Sequence, residues 1–319
     1  MDAEFDHVLL TRFNLPSAGA ESFVRSKEGW LRSRVELFER YCLPSVENQT
    51  VRSFQWIIYF DPQSPEWLKA KVQQLSRTST FVPIYRAHVS RQELLQDLRA
   101  VSGARHKNLM TTNLDNDDGL ASDFVQRLHN VPLGSDRAAV YLVRGLIRSG
   151  TSVYLRTDRS NAFCSVHEAW NAAETCWSNW HNLLATSMNV VEVGGEPAWL
   201  QVIHGSNVSN RVRGRRISAA ACRPGFGALL DGVDNLGRGD VLKDVLIQAP
   251  ARGVRDFGRT TAKRAALALL GRDGLDRLKS EWASRSLRRG PAPDGSAPGI
   301  QRDPSGTPGR KGVIDDVPA

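Results

Sequence analysis

Residues 109–119 read Leu-Met-Thr-Thr-Asn-Leu-Asp-Asn-Asp-Asp-Gly, an apolar segment that runs directly into an acidic turn. The first six of these residues predict a buried strand. Asp115, Asp117 and Asp118 then place three carboxylates within four residues, and their mutual repulsion costs stability. A hard divalent cation relieves such repulsion by taking oxygen ligands.

Strands and helices alternate from the N-terminus up to this turn. The predicted strands cover residues 7–11, 56–60, 81–85 and 109–114, and the predicted helices cover residues 26–43, 65–75 and 92–101. In the first helix, apolar residues recur at helical spacing with charged residues between them. The alternation predicts an α/β fold in which a mixed, mainly parallel sheet is flanked by helices on both faces.

The position of the acidic turn gives it a functional interpretation. In open α/β sheets, ligands bind beyond the carboxyl ends of the strands, and the turn follows the fourth predicted strand. Magnesium or manganese held there could bridge the carboxylates to a diphosphate. The metal would then neutralise charge on a departing nucleoside diphosphate, an effect worth several kcal/mol in a transition state.

Three other interpretations of the turn were weighed. An acidic surface turn is the commonest fate of such a sequence, but a solvated turn does not need three acids. An EF-hand loop is rejected because Gly119 comes one position too early and no glutamate follows at the required distance. A phosphatase with an aspartate nucleophile stays open, although the end of its first strand would carry aspartates, where this chain has Thr11-Arg12.

The pattern changes beyond the turn. Residues 140–143 and 153–155 predict an antiparallel hairpin around Arg148-Ser149-Gly150-Thr151, and residues 165–185 have helical character. Residues 199–203 predict a late strand that ends at His204. This histidine is interpreted either as a structural residue or, because it ends a strand, as one that faces the site. The nearby arginines are interpreted either as a solvated basic loop or as a diphosphate clamp. These arginines are Arg211, Arg213, Arg215 and Arg216.

Asp61 ends the predicted strand 56–60 and is followed by a proline. Its carboxylate could accept hydrogen bonds from a nucleobase or ribose, because this strand end faces the same edge as Asp115. The alternative is simple turn chemistry, for which an Asp-Pro pair is well suited.

Charge separates the body of the chain from its C-terminal part. Residues 251–319 hold 14 Lys and Arg against 8 Asp and Glu, whereas residues 1–250 hold 28 and 26. A nearly neutral body argues against a nucleic-acid-binding fold. We predict one domain over 1–250, a basic helical extension over 251–289 and a disordered tail over 290–319. Within the extension, residues 252–289 could contact anionic membrane as a basic amphipathic helix.

Cysteine usage and the N-terminus bear on location. Cys42, Cys164, Cys176 and Cys222 lack the spacing of a zinc site and are predicted to be buried thiols. The first six residues carry three acids and do not resemble a secretory signal, and no run of about 18 apolar residues occurs. We therefore expect a cytoplasmic protein, with peripheral contact at the inner membrane face left open.

Several motifs resemble those of one known family, the bacterial "putative rhamnosyl transferase" group of GT-A-like glycosyltransferases. The resemblance covers roughly residues 5–250. It rests on Thr11-Arg12-Phe13-Asn14, on Gln49-Thr50, on residues 54–61, on residues 114–119, on Asn161-Ala162-Phe163 and on residues 199–210. The sequence departs from the family at Asn113, where members often carry an arginine, and a phosphate contact from that position is therefore in doubt.

The resemblance implies a GT-A fold, a metal-bound nucleotide sugar, and transfer of that sugar to a glycan, lipid or protein acceptor. Asp115 and Asp117 would handle ribose and metal with Asp118 beside them, and His204 resembles the late metal-binding histidine of GT-A enzymes. We predict the metal ligands Asp115, Asp117 and His204, the nucleotide-sugar contacts Thr11, Arg12, Asp61, Asp115, Asn207 and Arg211, and the catalytic residues Asp118 and Glu168.

An inverting enzyme needs a carboxylate that deprotonates the acceptor hydroxyl. Glu168 is the first choice among Glu168, Glu174, Glu192 and Glu196, because it is predicted to start a helix after Asn161-Ala162-Phe163. A glutamate at a helix start also simply suits the helix dipole. Two other classes stay open: a non-catalytic nucleotide- or carbohydrate-binding protein, and a metal-dependent phosphohydrolase.

Overall fold

The computed structural model describes residues 4–15, 28–78, 81–204, 211–235, 237 and 239. The chain divides into two compact units, Met1–Ala262 and Lys263–Ala319, and every described residue belongs to the first. The predicted basic extension (251–289), its membrane contact through residues 252–289 and the predicted tail (290–319) lie outside the described residues.

Twelve strands form two sheets within the described residues. In chain order they are β1 Phe5–Arg12, β2 Gln55–Phe60, β3 Phe81–Tyr85, β4 Asn108–Asn113, β5 Gly119–Leu120, β6 Ala138–Leu142, β7 Arg144–Ser149, β8 Ser152–Thr157, β9 Ser165–Ala169, β10 Asn189–Val193, β11 Trp199–Ile203 and β12 Arg215–Ile217.

Helices connect these strands. The α-helices are α1 Glu28–Leu37, α2 Leu43–Glu47, α3 Glu66–Thr78, α4 Arg91–Ser102, α5 Phe124–His129 and α6 Arg223–Phe226. A π-helical turn, Phe38–Cys42, joins α1 to α2, and short 3-10 turns cover Trp170–Ala172, His181–Thr186, Ala219–Ala221 and Gly227–Leu230.

The larger sheet has the order β10-β6-β9-β4-β1-β2-β3. Strands β4, β1, β2 and β3 run parallel to one another, whereas β9 is antiparallel to both β4 and β6. The smaller sheet has the order β12-β8-β7-β11-β5. The predicted α/β class with a mixed, mainly parallel sheet is confirmed. The acidic turn leaves β4 of the larger sheet and enters β5 of the smaller one, so it lies where the two sheets meet.

Both faces of β1 and β2 are buried, which explains their unbroken apolar sequences. Leu9, Trp56 and Ile58 pack with the α1 side of the sheet, whereas Leu10 and Ile57 pack with α4 on the opposite side. The smaller sheet has its own apolar cluster, which includes residues of the 3-10 turn Gly227–Leu230.

Local sequence signals define helix α4 at both ends. Ser90 and Glu93 form a reciprocal capping box at its start, and Gly103 adopts a left-handed conformation, with φ 77°, at its end. This agreement of local signals explains why residues 92–101 were predicted correctly as a helix.

Two predictions for the second half of the chain are wrong. The turn at Gly150-Thr151 does close a hairpin, but the hairpin joins β7 to β8, while β6 belongs to the larger sheet. The predicted helix over residues 165–185 instead begins with strand β9 and continues as loop and 3-10 turns. Strand β9 is buried between β4 and β6, and a short buried strand lacks the alternation that would distinguish it from a helix.

All four cysteines are buried and free, as predicted. Burial raises the pKa of the Cys42, Cys164, Cys176 and Cys222 thiols. Within the part of the chain that the structure describes, no helix is both long enough and apolar enough to cross a bilayer.

Three histidines cluster around Phe5 of β1, with His7 and His167 buried and His129 half-buried. His7 contacts His129 through Nδ1 and Thr112 through Nε2, both at 2.9 Å. Phe5 packs edge-on against His129 and His167. Burial lowers the pKa of His7 well below its ordinary value, lowers the pKa of His129 to about 4 and lowers the pKa of His167, with the charge of His129 adding to the effect on His7.

These histidines are expected to make the fold acid-sensitive. Their folded-state pKa values lie below the unfolded value of about 6.5, so the stability that they contribute is complete above pH 6.5. It is lost as the pH falls towards 4, because the unfolded chain binds the protons first. The slope is at most about 1.4 kcal/mol per pH unit for each histidine.

Urea unfolding at pH 7.5, 6.5 and 5.5 measures this effect. His129→Gln should flatten the pH dependence relative to the unmodified protein. His88→Gln is the control, since the side chain of His88 is 76% exposed. Equal pH slopes for the unmodified protein and His129→Gln would contradict the prediction.

Candidate functional site

A cavity of about 720 Å³ opens at the carboxyl ends of β1 and β4. Its charged lining consists of Arg12, Arg156, Arg211, Arg213, Asp115 and Asp158, together with His181. Four guanidinium groups against two carboxylates make the cavity electropositive. Such a site suits an anion that carries several charges.

Arg12 ends β1 and lies with its guanidinium 3.9 Å from the centre of the Trp177 ring. The same indole donates from Nε1 to Asn113 Oδ1 at 2.7 Å. Trp177 therefore ties the end of β1 to the end of β4. Arg12 and Arg211, which the sequence predicted as nucleotide-sugar contacts, both line the cavity.

Asp115 is the member of the acidic turn that faces the cavity. Asp115 is exposed. Among the described residues, its carboxylate accepts one side-chain hydrogen bond, from Asn113 Nδ2 at 3.4 Å. The surrounding protein and the neighbouring Asp117 carboxylate raise its pKa. A carboxylate so placed can accept hydrogen bonds from hydroxyl groups or ligate a cation.

Asp117 does not line the cavity and is held by Arg34 and His204. Arg34 Nη1 on α1 lies 2.5 Å from its Oδ2, and His204 Nε2 lies 2.8 Å from the same oxygen. Burial raises the pKa of Asp117, but the hydrogen bond from His204 and the charge of Arg34 outweigh burial, and the pKa falls below its ordinary value. The predicted proximity of His204 to the acidic turn is thus present in the structure.

Asp118 is buried and accepts a hydrogen bond from the backbone amide of Val202 at 2.8 Å. Burial and the charges of Asp117 and Asp115 raise its pKa well above the ordinary value. Its carboxylate fastens the turn to β11 and does not line the cavity. The predicted catalytic role of Asp118 gains no support from this position.

The neighbouring Asn116 fixes the turn from its other side. Its Nδ2 donates to the carbonyl of Phe13 at 2.7 Å, and its Oδ1 accepts from Arg34 at 3.2 Å. Arg34 therefore binds two consecutive residues of the turn, and its Nε is buried with no hydrogen-bond partner among the described residues.

The donor atoms around the turn have the chemistry of a divalent-metal site, but not its arrangement. Asp115 faces the cavity, whereas the Oδ2 atom of Asp117 is shared by Arg34 and His204. The described residues hold no group of three or more His, Cys, Asp or Glu side chains placed around one point. A metal bound to Oδ2 of Asp117 would compete with Arg34 and His204 for that oxygen.

Glu168 does not lie where the sequence prediction placed it. It belongs to strand β9, opposite Leu109 at the far end of β4 from the acidic turn. Its buried carboxylate accepts hydrogen bonds from Arg137 Nε and from the backbone amides of Glu174 and Thr175, all within 2.8 Å. Glu168 anchors the loop after β9 and does not line the cavity.

Replacing Glu168 with alanine is therefore expected to lower the free energy of unfolding by roughly 1.5–3 kcal/mol, the value of hydrogen bonds to a charged group. Urea denaturation followed by circular dichroism measures this. Glu174→Ala is the control, because that side chain is one-third exposed and makes a surface ion pair with Arg91. Unchanged stability combined with lost turnover would return Glu168 to a catalytic role.

Two more predicted residues do not line the cavity, and a third is not among the described residues. Thr11 is fully buried and accepts a hydrogen bond from Trp56 Nε1, so its side chain cannot reach a nucleotide in the cavity. Asp61 accepts from the amide of Gln63 at 2.8 Å and does not line the cavity, in agreement with the turn interpretation. Asn207 lies outside the described residues.

The sequence prediction missed several residues of the site. Arg34 lies on the polar side of a predicted helix, where nothing local distinguishes it from a solvated arginine. Trp177, Trp180 and His181 were assigned to a helix. Their clustering as Trp-Ser-Asn-Trp-His was a usable signal, because aromatic side chains next to small polar residues are common in binding loops.

Glycine 145 shows how closely one wall of the cavity is packed. A Cβ atom there would come within 2.0 Å of the Trp199 ring. Trp199 stacks on Phe163 with ring centres 5.1 Å apart and donates from Nε1 to the carbonyl of Leu142. The absence of a side chain at residue 145 allows this tryptophan to line the cavity.

Comparison with known proteins gives one family. The family model described as "Putative rhamnosyl transferase" matches residues 6–216, about two thirds of the chain. A search of curated proteins found no match of significant similarity.

Solved structures of similar fold have low sequence identity to this chain. S. aureus TarS 1–349 in complex with UDP is 12% identical with a TM-score of 0.34, over 62% of this chain and 60% of that chain. The inositol-1-phosphate CTP transferase from T. maritima is 10% identical with a TM-score of 0.36, over 73% and 100%. HddC from Yersinia pseudotuberculosis is 9% identical with a TM-score of 0.31, over 60% and 90%. The alignment therefore spans less than two thirds of the TarS chain.

Proposed function

Because the chain belongs to the "Putative rhamnosyl transferase" family, we propose that it transfers a sugar from a nucleotide-diphosphate donor to an acceptor hydroxyl. The family description favours a deoxyhexose such as rhamnose as the sugar. The acceptor is a glycan, a lipid or a protein, and the described residues do not distinguish among these.

The observation that carries the proposal is the electropositive cavity at the carboxyl ends of β1 and β4. A nucleoside diphosphate carries two or more negative charges, and arginine forks bind phosphate oxygens in a bidentate manner. Arg12, Arg156, Arg211 and Arg213 supply such groups around one cavity that also contains the Asp115 carboxylate. Ligands of open α/β sheets bind at this edge.

In the transfer step, the acceptor oxygen attacks the anomeric carbon of the donor sugar. The bond from that carbon to the phosphate oxygen breaks, and its electron pair leaves with the nucleoside diphosphate. The arginines would stabilise the charge that develops on the leaving phosphate, a role that fixed cationic groups perform efficiently in a site shielded from water. Asp115, Asp158 and His181 line the cavity and have the chemistry to receive the acceptor proton.

The divalent metal is a separate proposal. Manganese or magnesium ligated by Asp115, Asp117 and His204 would add positive charge beside the diphosphate, provided that Arg34 leaves Asp117. Calorimetric titration with manganese, with and without nucleoside diphosphate, tests this proposal. No heat of binding in either titration would count against a metal site.

One experiment separates the transferase from its two alternatives. The purified protein is incubated with a panel of nucleotide sugars, with manganese or with a chelator, and the products are resolved by ion-exchange chromatography. Release of nucleoside diphosphate supports a glycosyltransferase. When no acceptor is present, such an enzyme slowly transfers the sugar to water and releases the nucleoside diphosphate. Release of inorganic phosphate would indicate a phosphohydrolase, and binding without any product would indicate a non-catalytic binding protein.

A further inference from the structure

Trp180 is the most exposed large apolar side chain among the described residues, at 75% of its accessible surface. It also lines the cavity that contains Asp115. Leaving an indole in water forgoes a large hydrophobic stabilisation, and an exposed aromatic in a cavity usually marks a place where a ligand covers it.

The backbone on both sides of Trp180 is held in place. Asn179 Oδ1 accepts from the amide of Trp180 at 2.8 Å, and the carbonyl of Trp180 accepts from the amide of Leu183 at 2.8 Å. The next residue, His181, contacts the carbonyl of Ser160 through Nδ1, and its own carbonyl accepts from the hydroxyl of Tyr141. The indole is therefore presented by a fixed segment, which reduces the ordering cost of binding.

Trp180 differs in this respect from the other two tryptophans of the cavity. One face of the Trp177 ring is covered by the Arg12 guanidinium. Trp199 is buried against Phe163. Among the described residues no aromatic or cationic group packs on Trp180, so its ring can receive a ligand.

The charges around the cavity indicate which part of the substrates binds at Trp180. No lysine or arginine occurs between Trp170 and Val190, and the cavity residues nearest to Trp180 in the chain are Ser178, Asn179 and His181. The diphosphate is expected to bind at the arginines that line the cavity. A neutral pyranose fits the Trp180 side, because its axial C–H bonds form an apolar face that packs on an aromatic ring while its hydroxyls bond to amides and small hydroxyls.

We propose that Trp180 is the stacking platform of an acceptor subsite, and that the acceptor presents a pyranose ring there. This inference rests on the proposed glycosyltransferase function and narrows the acceptor to a carbohydrate or a glycosylated molecule. The donor sugar would then meet the acceptor between the Trp180 platform and Asp115.

Saturation-transfer NMR tests the proposal with three probes: methyl β-D-glucopyranoside, methyl β-D-galactopyranoside and methyl α-L-rhamnopyranoside. At least one should receive saturation on its ring protons from the unmodified protein. Trp180→Ala should weaken that binding by about tenfold or more, and Trp180→Phe should retain part of it. Leu183→Ala is the matched control, because Leu183 is an exposed apolar residue of the same segment that does not line the cavity.

A second titration, with UDP, dTDP and GDP on the same proteins, distinguishes the possible failures. The proposal expects nucleotide affinity to be equal in the unmodified protein and Trp180→Ala. If nucleotide binds but no glycoside does, or if glycoside binding survives in Trp180→Ala, the proposed stacking platform is wrong. The proposed glycosyltransferase function would be unaffected by either result. If Trp180→Ala also loses nucleotide affinity, the indole binds the nucleobase, and the proposed acceptor platform is again wrong. If no nucleotide binds the unmodified protein, the proposed function itself fails.

Discussion

Asp117→Ala is expected to lower the free energy of unfolding by about 3–5 kcal/mol, the usual cost of removing one partner from a buried ion pair. Asp117 and Arg34 have side chains that are only 9% and 14% exposed. The substitution leaves the Arg34 guanidinium buried without its counterion and removes the acceptor for His204. The sequence alone predicted Asp117 as a metal ligand and gave no sign of this ion pair.

Urea denaturation measures this loss, and two variants control it. Asp117→Asn keeps the shape and one acceptor oxygen, so it should cost less than Asp117→Ala. The double change Arg34→Met with Asp117→Leu removes both charges and should recover most of the stability. If Asp117→Ala unfolds at the same urea concentration as the unmodified protein, the ion pair does not hold the turn, and Asp117 becomes available as a metal ligand.

Asp115→Ala, unlike Asp117→Ala, is expected to lose activity while keeping its stability. The side chain faces the cavity and makes one long hydrogen bond, so its removal breaks little of the fold. It also relieves the repulsion with Asp117 that helps to raise the Asp115 pKa. As a hydroxyl acceptor or a cation ligand, Asp115 would contribute several kcal/mol to transfer, and kcat/KM should fall by at least about 100-fold.

Release of nucleoside diphosphate from the best donor of the panel measures this effect, with the melting temperature recorded in parallel. Glu66→Ala is a control for the loss of one negative charge, because its side chain is 87% exposed on α3. Full turnover in Asp115→Ala would remove the acidic turn from the site. Loss of turnover accompanied by a drop in melting temperature would make Asp115 a structural residue.

The first half of the fold was predictable from the sequence because its signals are local. Strands β1, β2 and β4 are largely buried, β3 is the edge strand of the sheet, and all four appear as short, mainly apolar segments. The helices between them show apolar spacing on one side. At α4, a capping box and a terminal glycine define both ends. Each of these signals depends on residues within one element, so neither the strand order nor the packing had to be known.

Strand β9 shows where this reasoning fails. Its five residues are almost all buried, with β4 on one side and β6 on the other. Its sequence therefore has neither the alternation of a half-buried strand nor a helical stripe, and only the pairing partners decide its conformation. The position assigned to Glu168 was wrong for the same reason.

The sequence by itself determined the α/β class, the strand that leads into the acidic turn and the position of that turn at the ligand-binding edge of the sheet. Tertiary structure alone decided what each aspartate does, because Asp117 meets Arg34 from 83 positions earlier and His204 from 87 positions later. Such contacts depend on how the two sheets meet and on where α1 packs, and no local pattern records them. The same holds for Trp180, whose exposure follows from the path of the loop after β9.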